Sequence, residues 1–568
     1  MSRHPGRRDL LRGSWSGGSL GPAGPRYPTR EEVDFVIVGS GAAGGIMAKE
    51  LSTAGFSCVV LEQGPYLRDA DFTHDELGVF WNGALTGSSD DHPQTFRQSE
   101  REEAMPFEVL SYAKIVGGSN VHWTANAWRF KPIDFMERSV LGPISGTSFA
   151  DWPISYEDLE PYYTKVDWEI GISGEPGPHD PPRSRPYPMP PLPIKSSGVL
   201  LDRGARELGL HAFPAPMGIL SQPHLGRAPC QHCGFCLAFG CEFGAKSSSL
   251  ASMIPLAEAS GRCEIRPEST VFRIQLDDAG RAREVVYYDR DGVEQAQLAK
   301  AVVVCANGAE TTRLLLLSES DLFPQGLANS SGLVGRNLMF NTESSAHGRF
   351  ERPLNEYKSV QVTRILWDFY ETDPARGFYG GGGIDGRWQW YPIWFANDGL
   401  PPTAPKWGAG YKRALGEYFN HTMDSNGHGT SLPLETNNIT LDPKLKDRWG
   451  RPAIRTTYHD HDDDLALTQF MTDRSLEVLD AAGALETWQT PVGPAMFGAH
   501  LLGTARMGDD PASSVVDRYH RTHDVSNLFL CDGSSFVTSG RGQPTMTIMA
   551  LAFRAADLIA GFARRGEI

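Results

Sequence analysis

The sequence predicts an α/β fold in which a parallel-sheet domain, assembled from separated segments, is interrupted by an α+β domain built on a mostly antiparallel sheet. Three observations predict it. An apolar run, Val33-Asp34-Phe35-Val36-Ile37-Val38, enters the turn Gly39-Ser40-Gly41-Ala42-Ala43-Gly44, and after a helix-like segment a second apolar run, Cys58-Val59-Val60-Leu61, ends in Glu62. Further on, Ala301-Val302-Val303-Val304-Cys305-Ala306 also leads into a glycine turn and a helix. Between residues 345 and 490 the composition shifts to Trp, Tyr, Phe and Gly without long helical periodicity, which suits an antiparallel sheet.

The chain has 568 residues, enough for several domains or one large discontinuous domain with an insertion. A formal net charge of −16 disfavours nucleic acid and anionic membrane as general partners. The nearly unbroken apolar stretches fall short of the ~20 residues a bilayer span needs, so no membrane helix is expected. Residues 1–30, rich in Gly, Pro, Ser and Arg, read as a disordered arm. The pair Arg7-Arg8 is followed by no apolar segment of the kind an export signal carries, so the chain reads as cytoplasmic, or as periplasmic by co-export with a partner that supplies the signal.

Taken in order, the opening turn is the strand–G-x-G-x-x-G–helix–strand–acid pattern of a Rossmann-like dinucleotide site. Gly39 allows the tight turn, Gly41 lets the backbone approach a pyrophosphate, and Gly44 lets helix and strand pack closely. Ala42 and Ala43 open the helix whose first amides face the phosphates, and Glu62 is placed to accept hydrogen bonds from a ribose. This pattern holds NAD as readily as FAD. Residues 65–110 read as a long covering loop. The second turn, Gly117-Gly118-Ser119-Asn120-Val121-His122, either lays its backbone flat against a ligand or is an ordinary turn with a packed histidine.

The segment from Asp151-Trp152-Pro153 opens a helix, and residues 174–195, with nine prolines, form an extended crossover. Four of the eight cysteines, Cys230, Cys233, Cys236 and Cys241, fall within twelve residues. Their spacing is compatible with an iron–sulfur cluster, a redox or structural cysteine knot, or zinc. The other four sit in apolar runs and read as buried thiols. Residues 262–306 read as a β-meander that includes Val271. In the 345–490 region the aromatic side chains either stack on a sugar or ring substrate or only pack on helices. The last segment carries His500, Asp532-Gly533 and Gln543-Pro544-Thr545 ahead of an apolar helix, whose positive end favours negative charge on a neighbouring group.

These motifs, together with Gly332-Leu333-Val334-Gly335-Arg336-Asn337 and in this order, resemble the glucose–methanol–choline (GMC) oxidoreductases from Val33 to about Ile559. The cysteine group and Val121-His122-Trp123 look most like bacterial sugar dehydrogenases of the gluconate 2-dehydrogenase flavoprotein and glucoside 3-dehydrogenase types. The resemblance implies FAD as cofactor, bound by Gly39, Gly41, Ala42, Ala43, Gly44, Glu62, Gly117, Gly118, Asn120, His122, Val271, Asp532, Gly533, Pro544 and Thr545. It implies His500 as the base that takes a hydroxyl proton while hydride leaves for the flavin. The second catalytic position, Asn or His in the family, is Gln543 here. An amide can hydrogen-bond a hydroxyl but cannot act as a base, so His500 carries that role alone. His122 stands where some relatives link covalently to the flavin and others only line it.

The expected function is oxidation of a CH–OH group in a sugar, glycoside or sugar acid, with electrons passed to an acceptor other than NAD. A small subunit or a cytochrome would accept them, through the cysteine group if that is metallated. An oxygen-using oxidase and a non-catalytic flavoprotein subunit are the alternatives. The expected boundaries are 31–150, 222–345 and 495–568 for the FAD domain, and 151–221 with 346–494 for the substrate domain.

Overall fold

The computed structural model describes residues 24–568, so the first 23 residues of the expected arm, with Arg7-Arg8, lie outside the described residues. The end of that arm is tied down. Tyr27 N donates to Glu264 Oε2, and Arg266 donates to the Tyr27 carbonyl.

Val33–Val38 lies between Cys58–Leu61 and Glu294–Val304, parallel to both, with Val36 opposite Val59 on one side and Val302 on the other. Layers on both faces bury these strands, which is why they read as continuous apolar runs and not as alternation. Cys263–Arg266 and Leu528–Leu530 add further parallel strands. The first half of Glu294–Val304 pairs antiparallel with Ala282–Tyr288, and that strand with Thr270–Leu276. The expected meander is therefore three strands, the last of which runs on into the parallel layer.

Helices Ala42–Thr53 and Thr545–Arg564 pack on one another, and the second also packs on Tyr156–Val166, whose start is set by Ser155 and Asp158 capping each other's backbone amides. Contrary to the sequence expectation, Thr545–Arg564 is long and apolar enough to cross a membrane. However, 67% of its most apolar window is buried inside the protein, as in a core helix covered on several sides.

A second sheet orders its described strands Glu486–Gln489, Thr342–Arg349, Thr422–Gly429, Gly382–Arg387, Val362–Leu366 and Ala212–Pro214, all antiparallel. The boundary expected at 345/346 falls inside Thr342–Arg349. A small third sheet joins Gln94–Arg97, from the stretch read as a loop, in parallel to Pro452–Thr457. Pairing between segments so far apart leaves no local trace. It also ties together segments assigned to different domains.

Helix Asp462–Ala481 contradicts the reading that residues 345–490 lack long helical periodicity. Its buried stripe, Leu467, Met471, Ser475, Val478 and Leu479, includes a serine with Thr472 beside it, which dilutes the apolar period. The stripe lies on the antiparallel sheet. A Cβ on Gly427 would stand 2.6 Å from Met471 Cβ, so that glycine lets helix and strand approach.

Candidate functional site

A cavity of about 900 Å³ opens where the parallel strands end, Val38 and Leu61 reaching its wall, and extends to the antiparallel sheet. Its walls include Gly39, Gly41, Ala42, Ala43, Glu62, Gly118, Asn120, His122, Val271, His500, Asp532, Gly533, Gln543, Pro544 and Thr545. Residues hundreds of positions apart in sequence thus meet around one space. Gly44 and Gly117 stand behind the wall.

At one end the two glycine turns touch. Gly39 has φ +89°, and a Cβ there would sit 2.5 Å from the Cys305 carbonyl oxygen; on Gly44 it would meet the Gly39 oxygen at 2.0 Å. Gly118, at φ +59°, would place a Cβ 2.7 Å from Gly41 Cα. The second turn is therefore backbone packed on backbone beside the space where the first turn's helix begins. Ser40 Oγ accepts from Gly117 N (3.0 Å) and donates to Glu62 Oε2 (2.8 Å), while Glu62 Oε1 accepts from Gly64 N (3.0 Å). Burial pushes the Glu62 carboxyl pKa up, and these donors only partly offset it. Asn120 Oδ1 accepts from Ser249 N, yet its Nδ2 is buried without a partner. An orphan amide donor on the wall suits an oxygen-rich ligand, and the start of Ala42–Thr53 suits a phosphate. Val271 lies on the same wall, whereas the Asp532 carboxylate is taken up by Thr311 Oγ1 (2.6 Å) and Ser534 N (2.8 Å), which shape the turn.

At the other end His500 is half-buried. Its Nδ1 lies 3.1 Å from Asn341 Oδ1. The Asn341 amide nitrogen donates to the carbonyls of Gly429, Ser539 and Gly540, so its oxygen is left to face the histidine. Nδ1 must then carry the proton, and Nε2 keeps a lone pair. Burial pushes the His500 pKa down to about 4, with Glu343 partly opposing. The loop holding His500 is pinned on both sides, by Gly498 N to the Val109 carbonyl and Gly503 N to the Gly533 carbonyl. Gln543 follows Arg541, whose guanidinium is fully buried and bonded to the Asp134 and Glu137 carboxylates.

The floor here is the antiparallel sheet, and it is polar. Glu343 and Ser345, two apart on Thr342–Arg349, share a face with His428 and Arg387, and Gln389 continues it. Arg387 is clamped to Asp385, whose carboxyl burial would raise but Arg387 and His428 hold at about 2. The aromatic floor offered as one alternative is not found. Trp388, Trp390 and Phe395 pack in a cluster with Phe419, and only Trp394 of that group reaches the cavity. Asn341, Glu343, His428 and Arg387 escaped the sequence reading. The one available signal was the alternation Glu343-x-Ser345-x-His347.

The cysteine loop abuts this wall. Ala238 N donates to the His122 carbonyl (2.9 Å), and Leu237 and Ala238 line the cavity. Cys236 is buried, Cys230, Cys233 and Cys241 are half-buried, and none is in a disulfide. Burial pushes Cys230 up to about 11 and Cys236 up to about 12, each raised further by its neighbouring thiols. Buried Lys246 donates to the carbonyls of Trp123, Cys236 and Phe239, and burial lowers it to about 8. The sulfurs do not converge on one point; Cys233 instead meets His74 and Glu242 within 4.8 Å. Four cysteines are a donor set that an iron–sulfur cluster takes, and the buried Lys246 ammonium suits its negative charge, so the chemistry of the loop fits such a group. His122 itself lines the cavity with its ring, and burial lowers it to about 4.

Comparison with known proteins bears on the same residues. Residues 197–343 and 433–552 each match a family model described as GMC oxidoreductase. The chain is 34% identical to 2-methyl-1,2-propanediol dehydrogenase of Mycolicibacterium austroafricanum, over 93% of this chain and 95% of that protein. It is 28% identical to the gluconate 2-dehydrogenase flavoprotein of Pantoea cypripedii, over 93% and 94%. In structure it is similar to pyridoxine 4-oxidase from Mesorbium loti, with a TM-score of 0.63 at 19% identity, covering 92% of this chain and 98% of that one.

Proposed function

The chain belongs to the GMC oxidoreductase family, FAD-dependent enzymes acting on CH–OH donors, and from that premise we propose that it is a dehydrogenase of a polyhydroxylated, sugar-type alcohol. One observation carries the choice of substrate: the polar floor of Glu343, Ser345, Arg387, Gln389 and His428 facing His500. Arg387 and His428 are already bonded to Asp385, so the demand falls on Glu343 and Ser345, which an apolar alcohol would leave without partners and neighbouring hydroxyls would satisfy. The propanediol relative favours a second reading, a short branched diol.

A bound flavin would supply the hydride-accepting chemistry for the carbinol carbon. The glycine turns, Asn120 and Glu62 would hold its nucleotide half, and His122 and the Pro544-Thr545 helix start its ring half. His500 Nε2 removes the hydroxyl proton, Asn341 keeps Nδ1 protonated so that Nε2 is free, and Gln543 orients the hydroxyl through its amide. The cysteine loop, which adjoins the cavity wall through Ala238 and His122, would carry electrons outward to a non-NAD acceptor if it holds an iron–sulfur cluster.

Adding sugars, sugar acids and diols to the anaerobic holoenzyme should bleach the flavin absorbance with a sugar-type polyol. If only short diols bleach it, the second reading replaces the first; if no alcohol does, the oxidoreductase is not acting on this class. Peroxide formed on turnover in air would favour an oxidase.

Two expectations concern His500 directly. Because the neutral imidazole is the active form, kcat/KM should stay flat through neutrality and fall only as the pH drops through about 4. An acid limb near the ordinary histidine value, about 6.5, would contradict a base kept neutral at that pH. Asn341→Leu should lower kcat about 10- to 100-fold with KM little changed, while Asn341→Asp, which keeps the acceptor and adds charge, should move the acid limb upward. A limb that stays in place in Asn341→Asp would show that the pair is not coupled.

A further inference from the structure

Away from the cavity, His179, His211 and Asp368 each bring one ligand-type atom within 4.8 Å of the others. They come from three separate segments: the proline-rich crossover, the residue before edge strand Ala212–Pro214, and the turn after Val362–Leu366. Asp368 Oδ1 lies 2.8 Å from His211 Nδ1 and 3.7 Å from His179 Nε2. None of the three lines the catalytic cavity.

The fold places them. Leu366 pairs with Ala212, so His211 and Asp368 are neighbours by register. His211 N donates to Asp368 Oδ2 (3.1 Å), which turns the other carboxylate oxygen toward the two imidazoles. The crossover lies flat on this edge, since a Cβ on Gly177 would sit 2.3 Å from the Phe213 ring. Just beyond His179, Arg183 joins Asp180 (2.9 Å) and Asp167 (2.7 Å) and holds the segment down.

An ordinary histidine–aspartate pair accounts for only half of this arrangement. His211 takes the hydrogen bond to Asp368 Oδ1, while His179 Nε2 is a buried atom with no hydrogen-bond partner. A buried ring nitrogen left in that state costs free energy. A cation between the three atoms satisfies all of them, with the His211 N–Asp368 Oδ2 bond as the outer support that ligating carboxylates commonly have. Two imidazole nitrogens and one carboxylate oxygen suit a borderline first-row ion, whereas magnesium and calcium prefer an all-oxygen shell.

We propose that His179, His211 and Asp368 bind one divalent first-row cation of the zinc class, which pins the proline-rich crossover to the edge of the sheet that floors the catalytic cavity. Solvent completes its coordination.

The test is a Co²⁺ titration of the chelator-treated full chain, followed by visible absorption. The site should show the bands of a nitrogen and oxygen shell, distinct from the thiolate charge-transfer band that cobalt on the cysteine loop would give. His179→Gln, His211→Gln and Asp368→Asn should each weaken the first signal at least about tenfold and leave the second in place. In the unmodified protein, Zn²⁺ at ten times its dissociation constant should slow proteolysis within residues 174–195 about tenfold. Visible bands that survive all three substitutions, or cleavage that Zn²⁺ leaves unchanged, would overturn the site.

Discussion

His500→Ala is expected to slow substrate oxidation about 10²- to 10⁴-fold while the protein still copurifies with its flavin. The two halves of that expectation have different physical sources. On the proposed assignment the rate falls because Nε2 of a neutral, half-buried imidazole, oriented by Asn341, would be the proton acceptor and Gln543 could not replace it. The cofactor should stay because the proposed site for its nucleotide half, the glycine turns and Asn120, lies at the other end of the cavity from His500. Stopped-flow reduction under anaerobic conditions measures the first and the visible spectrum the second. Near-normal reduction would move the base elsewhere, and His428, on the same floor, would be the next residue to substitute.

Arg541→Met is expected to destabilise the protein by about 3–5 kcal/mol, read as a lower denaturant midpoint. The guanidinium is fully buried between Asp134 and Glu137, and removing it strands two carboxylates. Tyr370 donates to Asp134 Oδ2 (2.6 Å) and Tyr379 to Glu137 Oε2 (2.8 Å), but neutral hydroxyls do not replace a cation. Burial raises the Glu137 carboxyl while Arg541 lowers it, so removing the arginine raises this carboxyl further and the loss should soften as the pH falls. Because Gln543 is two residues on, the variant should also lose turnover in the fraction that remains folded. A midpoint within error of the parent would mean that the triad contributes nothing net, as some buried ion pairs do.

The parts of the site that could be read from sequence share one property: their chemistry is contiguous along the chain. A strand, a glycine turn and a helix start at Val33–Thr53 present neighbouring backbone amides suited to a phosphate, and Gly39 and Gly44 are required by contacts within a few residues of that turn or with the adjoining strand. The run from Gln543 to Thr545 announces a helix end in the same way. These motifs, in order, were enough for the family and the flavin, and they nominate His500.

What tertiary structure decided lies across strands and between distant segments. Gly117-Gly118 was ambiguous until Gly118 was seen against Gly41. Asn341 gives no sign in sequence that it orients His500, because its three carbonyl partners come from residues 429, 539 and 540. The substrate floor reads locally as an unremarkable strand. Glu343, His428 and Arg387 become one surface only through antiparallel register, which hydrogen bonding between distant strands sets. Sequence alone indicates the first glycine turn and helix start of the proposed cofactor end, since backbone geometry there is local; only the folded sheet brings Glu343, His428 and Arg387 together on the cavity floor, since those side chains meet by pairing and not by proximity in the chain.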